Sequence, residues 1–110
     1  SRGTCRDGRI CPVVAAPGQY VISSRYTTSG CGAQPAPNSN THSVCSGTSM
    51  ASPHVAGAAA LITEWWRDEN DGADPSPAMV KALLVNSATD MGTANIPNTA
   101  EGWGRVNVQM

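Results

Sequence analysis

Apolar positions along this chain gather into short blocks near its start and one long block at its middle, separated by polar stretches that Gly and Pro punctuate. Residues 1–10 are polar and contain Gly3 and Gly8, which predicts a surface loop. Pro12-Val13-Val14-Ala15-Ala16 is a continuous apolar run closed by Pro17-Gly18, the form a buried parallel strand takes in an α/β sheet. Tyr20-Val21-Ile22-Ser23-Ser24 alternates weakly and predicts a second strand. Residues 27–43 are rich in Ser, Thr, Gly, Pro and Asn, too polar to pack, and predict a long excursion that returns at Ser43-Val44-Cys45.

The long block opens on the small residues Ser46-Gly47-Thr48-Ser49 and runs on through Ala58-Ala59-Ala60-Leu61-Ile62. Pro53 lacks an N–H and is comfortable only in a first helical turn, so a helix is predicted from Ser49 or Met50 to about Arg67. With no wide polar face before Glu64, that helix is expected to be buried nearly all round. Asn70-Asp71-Gly72-Ala73-Asp74-Pro75 predicts a turn. Ser76 then caps and Pro77 opens a second helix to about Ala88, packed through Met79, Val80, Leu83, Leu84 and Ser87. Residues 91–101 read as loop, and Gly102-Trp103-Gly104-Arg105-Val106-Asn107 leads into a last turn ending at Met110.

The 110 residues, 40% hydrophobic and 14% charged, make one globular unit at most. Seven basic residues against eight acidic ones leave no basic stripe, which argues against nucleic acid as a partner. No apolar run approaches the roughly 20 residues of a membrane span, so no membrane partner is expected; the first residues carry no signal-peptide core, as in a mature or cut protein. Four cysteines in a chain without Phe predict disulfides and a secreted or extracellular setting.

Ser49 sits where the first N–H groups of the predicted helix point outward. Unpaired amides and the positive end of the helix dipole stabilise negative charge, which is what the oxyanion of an acyl transfer needs. A nucleophile and one oxyanion donor, the Ser49 N–H, would then come from one turn of chain. The plainer reading, Ser49 as a helix cap and no more, fits any Ser ahead of an apolar run. Against it stands the whole stretch Gly47-Thr48-Ser49-Met50-Ala51-Ser52-Pro53-His54-Val55-Ala56-Gly57, which resembles the nucleophile motif of the subtilisin-like serine proteases, with Ser49 at the nucleophile.

The likeness continues on both sides. Ser1-Arg2-Gly3, Arg6-Asp7-Gly8-Arg9-Ile10 and Val14-Ala15-Ala16-Pro17-Gly18 are similar to the stretch that precedes the nucleophile in larger secreted members. Lys81-Ala82-Leu83-Leu84-Val85-Asn86-Ser87-Ala88 and Gly102-Trp103-Gly104-Arg105-Val106-Asn107 look like the two helices that close the catalytic domain. The resemblance implies a three-layer α/β fold with a mainly parallel sheet. Residues 1–110 would be the C-terminal part of its catalytic domain, the central nucleophile helix plus the C-terminal helices. It also implies a secreted endopeptidase that hydrolyses peptide bonds through a Ser-His-Asp triad.

A serine hydroxyl is a poor nucleophile until a base, usually a His held by a carboxylate, takes its proton. In the family the acid, the base and the side-chain amide that completes the oxyanion hole lie on motifs upstream of anything matched here. The chain is therefore expected to be inactive alone, with the upstream part of its own catalytic domain as partner and proteins or peptides as substrates. His54, five residues past Ser49, lies about 140° round a helix from it and is expected to pack into the protein body rather than act as base. His42 falls in the polar excursion with no carboxylate near in sequence to orient it, and is expected to be a loop residue. Two readings from other classes are an inactive relative serving as a binding module and a small disulfide-stapled secreted binding module.

No metal ligand and no cofactor is assigned to this stretch. Cys31, His42 and Cys45 offer zinc-type donors but no closely spaced Cys pair. Asp68, Glu69, Asp71 and Asp74 lack the Asp, Asn and terminal Glu pattern of a calcium loop. Family members often bind structural calcium, mostly through upstream loops, so the resemblance implies a cation elsewhere in the full-length protein. Trp65-Trp66 is expected in core or interface packing, and Lys81 on a solvated helix face.

The departures from the family concern cysteine. Cys5 and Cys11 flank Arg-Asp-Gly-Arg-Ile where relatives tend to have Pro and Lys, and the excursion from Cys31 to Cys45 exceeds the hairpin of the smallest members. Of three connectivities, Cys5 with Cys11 and Cys31 with Cys45 is the most local and the one expected. The second tie would fasten a loop beside the substrate groove.

Overall fold

The computed structural model describes residues 1–26, 30–92 and 95–109. Residues 27–29 of the expected excursion, 93–94 of the expected loop and Met110 of the expected last turn lie outside the described residues. The elements are β1 (Val21–Ser24), a 3₁₀ turn (Gly30–Ala33), β2 (His42–Cys45), α1 (Thr48–Glu69) and α2 (Pro77–Asn86). They divide between two compact units, residues 17–53 and residues 1–16 with 54–110.

In the unit of residues 17–53, β1 and β2 pair antiparallel, with Val21 opposite Cys45, Ile22 opposite Val44, Ser23 opposite Ser43 and Ser24 opposite His42. This two-stranded antiparallel sheet with two helices overturns the expected three-layer fold with a mainly parallel sheet. The reason lies in the connection. Parallel neighbours need a crossover of a dozen or more residues, usually a helix. Here the chain after β1 returns alongside it, held at its far end by Arg25 N–H to the Thr41 carbonyl at 2.7 Å. On the other side of β2, Val44 N–H donates to the Gln34 carbonyl and Ala36 N–H to the His42 carbonyl, both at 3.0 Å. Among the described residues of this unit only Ala36 and Ser43 are buried, and a disulfide joins Cys31 of the 3₁₀ turn to Cys45 of β2, Cα atoms 5.3 Å apart.

In the other unit, Ala58 and Ile62 of α1 meet Leu84 of α2 in a small core, flanked by Val55, Ala59, Val80, Leu83 and Val106. The 3.6-residue period puts these positions on one face of each helix. The second helix begins as the sequence suggests, α2 opening at Pro77 with the Ser76 hydroxyl accepting the Met79 N–H at 3.2 Å, while α1 opens one residue ahead of Ser49 and so carries Pro53 inside the helix rather than in its first turn. They end at Glu69 and Asn86 rather than near 67 and 88, the usual fraying uncertainty of termini. The second disulfide, Cys5 to Cys11, closes a ring whose turn is held by Gly8 N–H to the Cys5 carbonyl at 3.0 Å.

Three further expectations are corrected. The run 12–16 forms no strand. Its contribution is one parallel bridge, Ala15 to Arg105, flanked by Trp103 N–H to the Val13 carbonyl at 2.9 Å and Val106 N–H to the Ala15 carbonyl at 2.8 Å. Residues 102–107 are not a helix, because Gly102 and Gly104 take positive φ of 65° and 120° and bring the backbone against the carbonyls of Val13 and Thr89, where a Cβ would collide. Finally, α1 is not buried all round: only Ala58 and Ile62 are, while Leu61 is 53% and Trp65 39% exposed. The apolar residues of α2 together with Val106 cover one face of it. Among the described residues no helix is long and apolar enough to cross a membrane.

Candidate functional site

The site is built where β2 gives way to α1. Residue 46 continues the direction of β2, Gly47 turns the chain at φ 150°, and Thr48 opens the helix. The Gly47 carbonyl accepts the Met50 N–H at 3.1 Å and the Ala51 N–H at 3.3 Å. The second of these is the first ordinary helical bond, and the first satisfies one of the four N–H groups, those of residues 47–50, that the helix start leaves without intrahelical partners. Among the described residues nothing accepts the Ser49 N–H, and Ser49 itself is exposed. No acidic residue lies in the first turn of α1 to neutralise the positive end of its dipole. An exposed serine hydroxyl and an amide that no described residue accepts thus stand together at the start of a 22-residue helix.

The turn is fastened from behind by residues 18–20. Gly47 N–H donates to the Gly18 carbonyl at 2.6 Å and Tyr20 N–H to the Ser46 hydroxyl at 2.8 Å. A Cβ on Gly18 would stand 2.7 Å from the Gly47 carbonyl oxygen and 3.2 Å from the Ala51 Cβ, so only glycine fits. The sequence reads Pro17-Gly18 as a strand stop within a family-like stretch and does not reveal this close approach. Met50, the residue after Ser49, lines a hollow of ≈ 280 Å³ with Val21, Tyr26, Ser43 and the Cys31–Cys45 bond.

Neither histidine stands as expected. His42 opens β2 rather than sitting in a loop, and its Nδ1 lies 3.1 Å from the Ser39 hydroxyl and 3.0 Å from that of Thr41. His54 is exposed rather than packed, since the face of α1 that carries it is among those left uncovered. The acidic stretch after α1 is organised by charge pairing: Asp74 accepts from Arg67 Nε at 2.5 Å, which raises the Arg67 pKa. Among the described residues no group of three or more His, Cys, Asp or Glu is arranged to hold a metal. Both expected disulfides are present, and each has Cα atoms within the usual spacing.

The subtilase family model matches residues 1–104. This chain belongs to the subtilase family. A subtilase relative, the serine protease/ABC transporter B family protein tagD of Dictyostelium discoideum, is 36% identical over 101 residues, which cover 80% of this chain and 6% of that protein. The extracellular serine protease of Serratia marcescens is 45% identical over 64 residues, 58% of this chain and 6% of its own length. In three dimensions the CspB protease of Clostridium perfringens matches 97% of this subtilase chain and 20% of its own, with TM-score 0.72 and 28% identity. The chain therefore spans only a small part of the curated relatives it matches, and its likeness in structure is to a fragment of a larger protease.

Proposed function

We propose that residues 1–110 are the C-terminal part of the catalytic domain of a secreted subtilase, a serine endopeptidase that cleaves proteins or peptides. Ser49 attacks the scissile carbonyl, and its own N–H is one donor to the tetrahedral oxyanion. The base, its orienting carboxylate and the second oxyanion donor come from the rest of the domain, so this stretch alone does no chemistry. The observation that carries the reading is the exposed Ser49 at the start of α1 with its amide unpaired, inside a chain matched by the family model over residues 1–104. The two disulfides and the extracellular Serratia relative support an extracellular setting.

The test is Ser49→Ala in the complete protein, assayed on casein after the folded fraction has been measured. The substitution removes the attacking oxygen and keeps the helix amide. Turnover should collapse by roughly 10⁶-fold, the scale of loss when subtilisin, a member of the same family, is deprived of its nucleophile. Full activity in Ser49→Ala would refute the reading.

A further inference from the structure

We infer that Ser46 is a positioning residue for the nucleophile turn, acting through the Tyr20 N–H; the inference rests on Ser49 being the nucleophile. The β1–β2 register ends at Val21 opposite Cys45. At the next pair the ladder changes character: the Tyr20 N–H bonds to the side-chain hydroxyl of Ser46 at 2.8 Å. One residue on, the Gly47 N–H crosses to the Gly18 carbonyl at 2.6 Å, and the Gly47 carbonyl then accepts from Met50 and Ala51. The peptide groups on both sides of Gly47 are thus pinned, and Ser46 is where strand pairing hands over to that anchorage.

Tyr20 supplies an independent sign that this contact matters. It is a non-glycine residue at φ 53°, in the left-handed region that costs energy for a side chain with a Cβ, and it is 74% exposed, so burial does not compensate. What Tyr20 gains in that conformation is the bond to Ser46. Such strain survives where the surroundings over-determine it, and here the surroundings are the two anchors behind Ser49. Ser46 is itself exposed, so its side chain is not there to fill a core. Oxyanion donors work within a few tenths of an ångström, so freedom gained at residue 46 moves the Ser49 amide out of range before it unfolds anything.

The test uses the complete protease and three proteins: the parent, Ser46→Ala and Ser46→Thr. A fluorophosphonate titration counts active sites, and steady-state kinetics on a peptide substrate are expressed per labelled site. Ser46→Ala should lower kcat by on the order of tenfold with KM little changed, because the loss falls on the transition state. Ser46→Thr keeps a hydroxyl acceptor and should recover most of the kcat. Amide hydrogen exchange should be faster at Tyr20 in Ser46→Ala and slow again in Ser46→Thr, a readout that stands even if the Ala variant folds poorly. An unchanged kcat per labelled site in Ser46→Ala, or Ser46→Thr as impaired as Ser46→Ala, overturns the positioning role and leaves parent labelling intact. A parent protein that takes no label overturns the nucleophile reading and the positioning role with it.

Discussion

At the scale of single residues, two carboxylates differ in kind. Arg9 holds the exposed Asp7 carboxyl below its ordinary 3.8, first through the side-chain hydrogen bond from Nε at 2.6 Å and then through the backbone N–H at 3.2 Å. A carboxyl lowered in the folded state favours folding above its unfolded pKa and loses that contribution as the pH falls through the lowered value. The NMR titration midpoint of Asp7 should therefore lie under 3.8 in the folded protein and move up in Arg9→Gln. A midpoint indifferent to Arg9 would contradict the pairing. Because both side chains are exposed, the effect on overall stability should be slight. Glu101 is the opposite case, 1% exposed, accepting the Met91 N–H at 3.1 Å and the Asn98 side-chain amide at 3.2 Å. Glu101→Ala would strand both donors and should cost about 2 kcal/mol, read as a lower denaturant midpoint of the complete protein. No loss at all would mean that the two donors find other acceptors. Nothing in the sequence marked Glu101, because burial of a carboxylate in a loop is set by partners that come from 10 and 3 residues away in a fold not yet formed.

At the scale of elements, both helices were legible and the strands only partly so. The start of α2 is written locally, Pro77 opening the first turn and Ser76 supplying the cap, whereas α1 begins at Thr48 and carries Pro53 inside the helix rather than in its first turn. Strand identity is not local. Residues 12–16 have the composition of a buried strand but, among the described residues, have one bridge partner, Arg105, and gain no ladder. Residues 102–107 were misread because a Gly-Trp-Gly sequence within a family likeness says nothing of positive φ at both glycines. The Cys31–Cys45 bond spans a separation of 14 residues in a unit where, among the described residues, Ala36 is the one buried apolar side chain, so this tie rather than a core holds the segment to β2. In the chain-entropy account a loop of that size is worth on the order of 3 kcal/mol. Peptide mapping under non-reducing conditions should recover Cys5 with Cys11 and Cys31 with Cys45, and any crosswise pair would contradict the fold described for residues 17–53.

At the scale of the whole molecule, family membership was more legible than the architecture. The motif that carries it, from Gly47 to Gly57, is a contiguous stretch of sequence. The sheet type, by contrast, depends on which strands are present to pair, and β1 and β2 have each other. Among the described residues four apolar side chains are buried while Ile22, Leu61 and Trp65 are well exposed, too little core for a chain of this size. Expressed alone, the chain should show no sharp, cooperative thermal transition by calorimetry; a clean one would overturn the view that α1 needs the rest of a catalytic domain to cover it. The central claim, that Ser49 is the nucleophile of the assembled subtilase, is tested most directly by labelling the complete protein with a fluorophosphonate and mapping the modified peptide. The account predicts one phosphonyl adduct, on Ser49, absent from Ser49→Ala. An adduct on another residue with Ser49 unmodified, or the same labelling in Ser49→Ala, would contradict it.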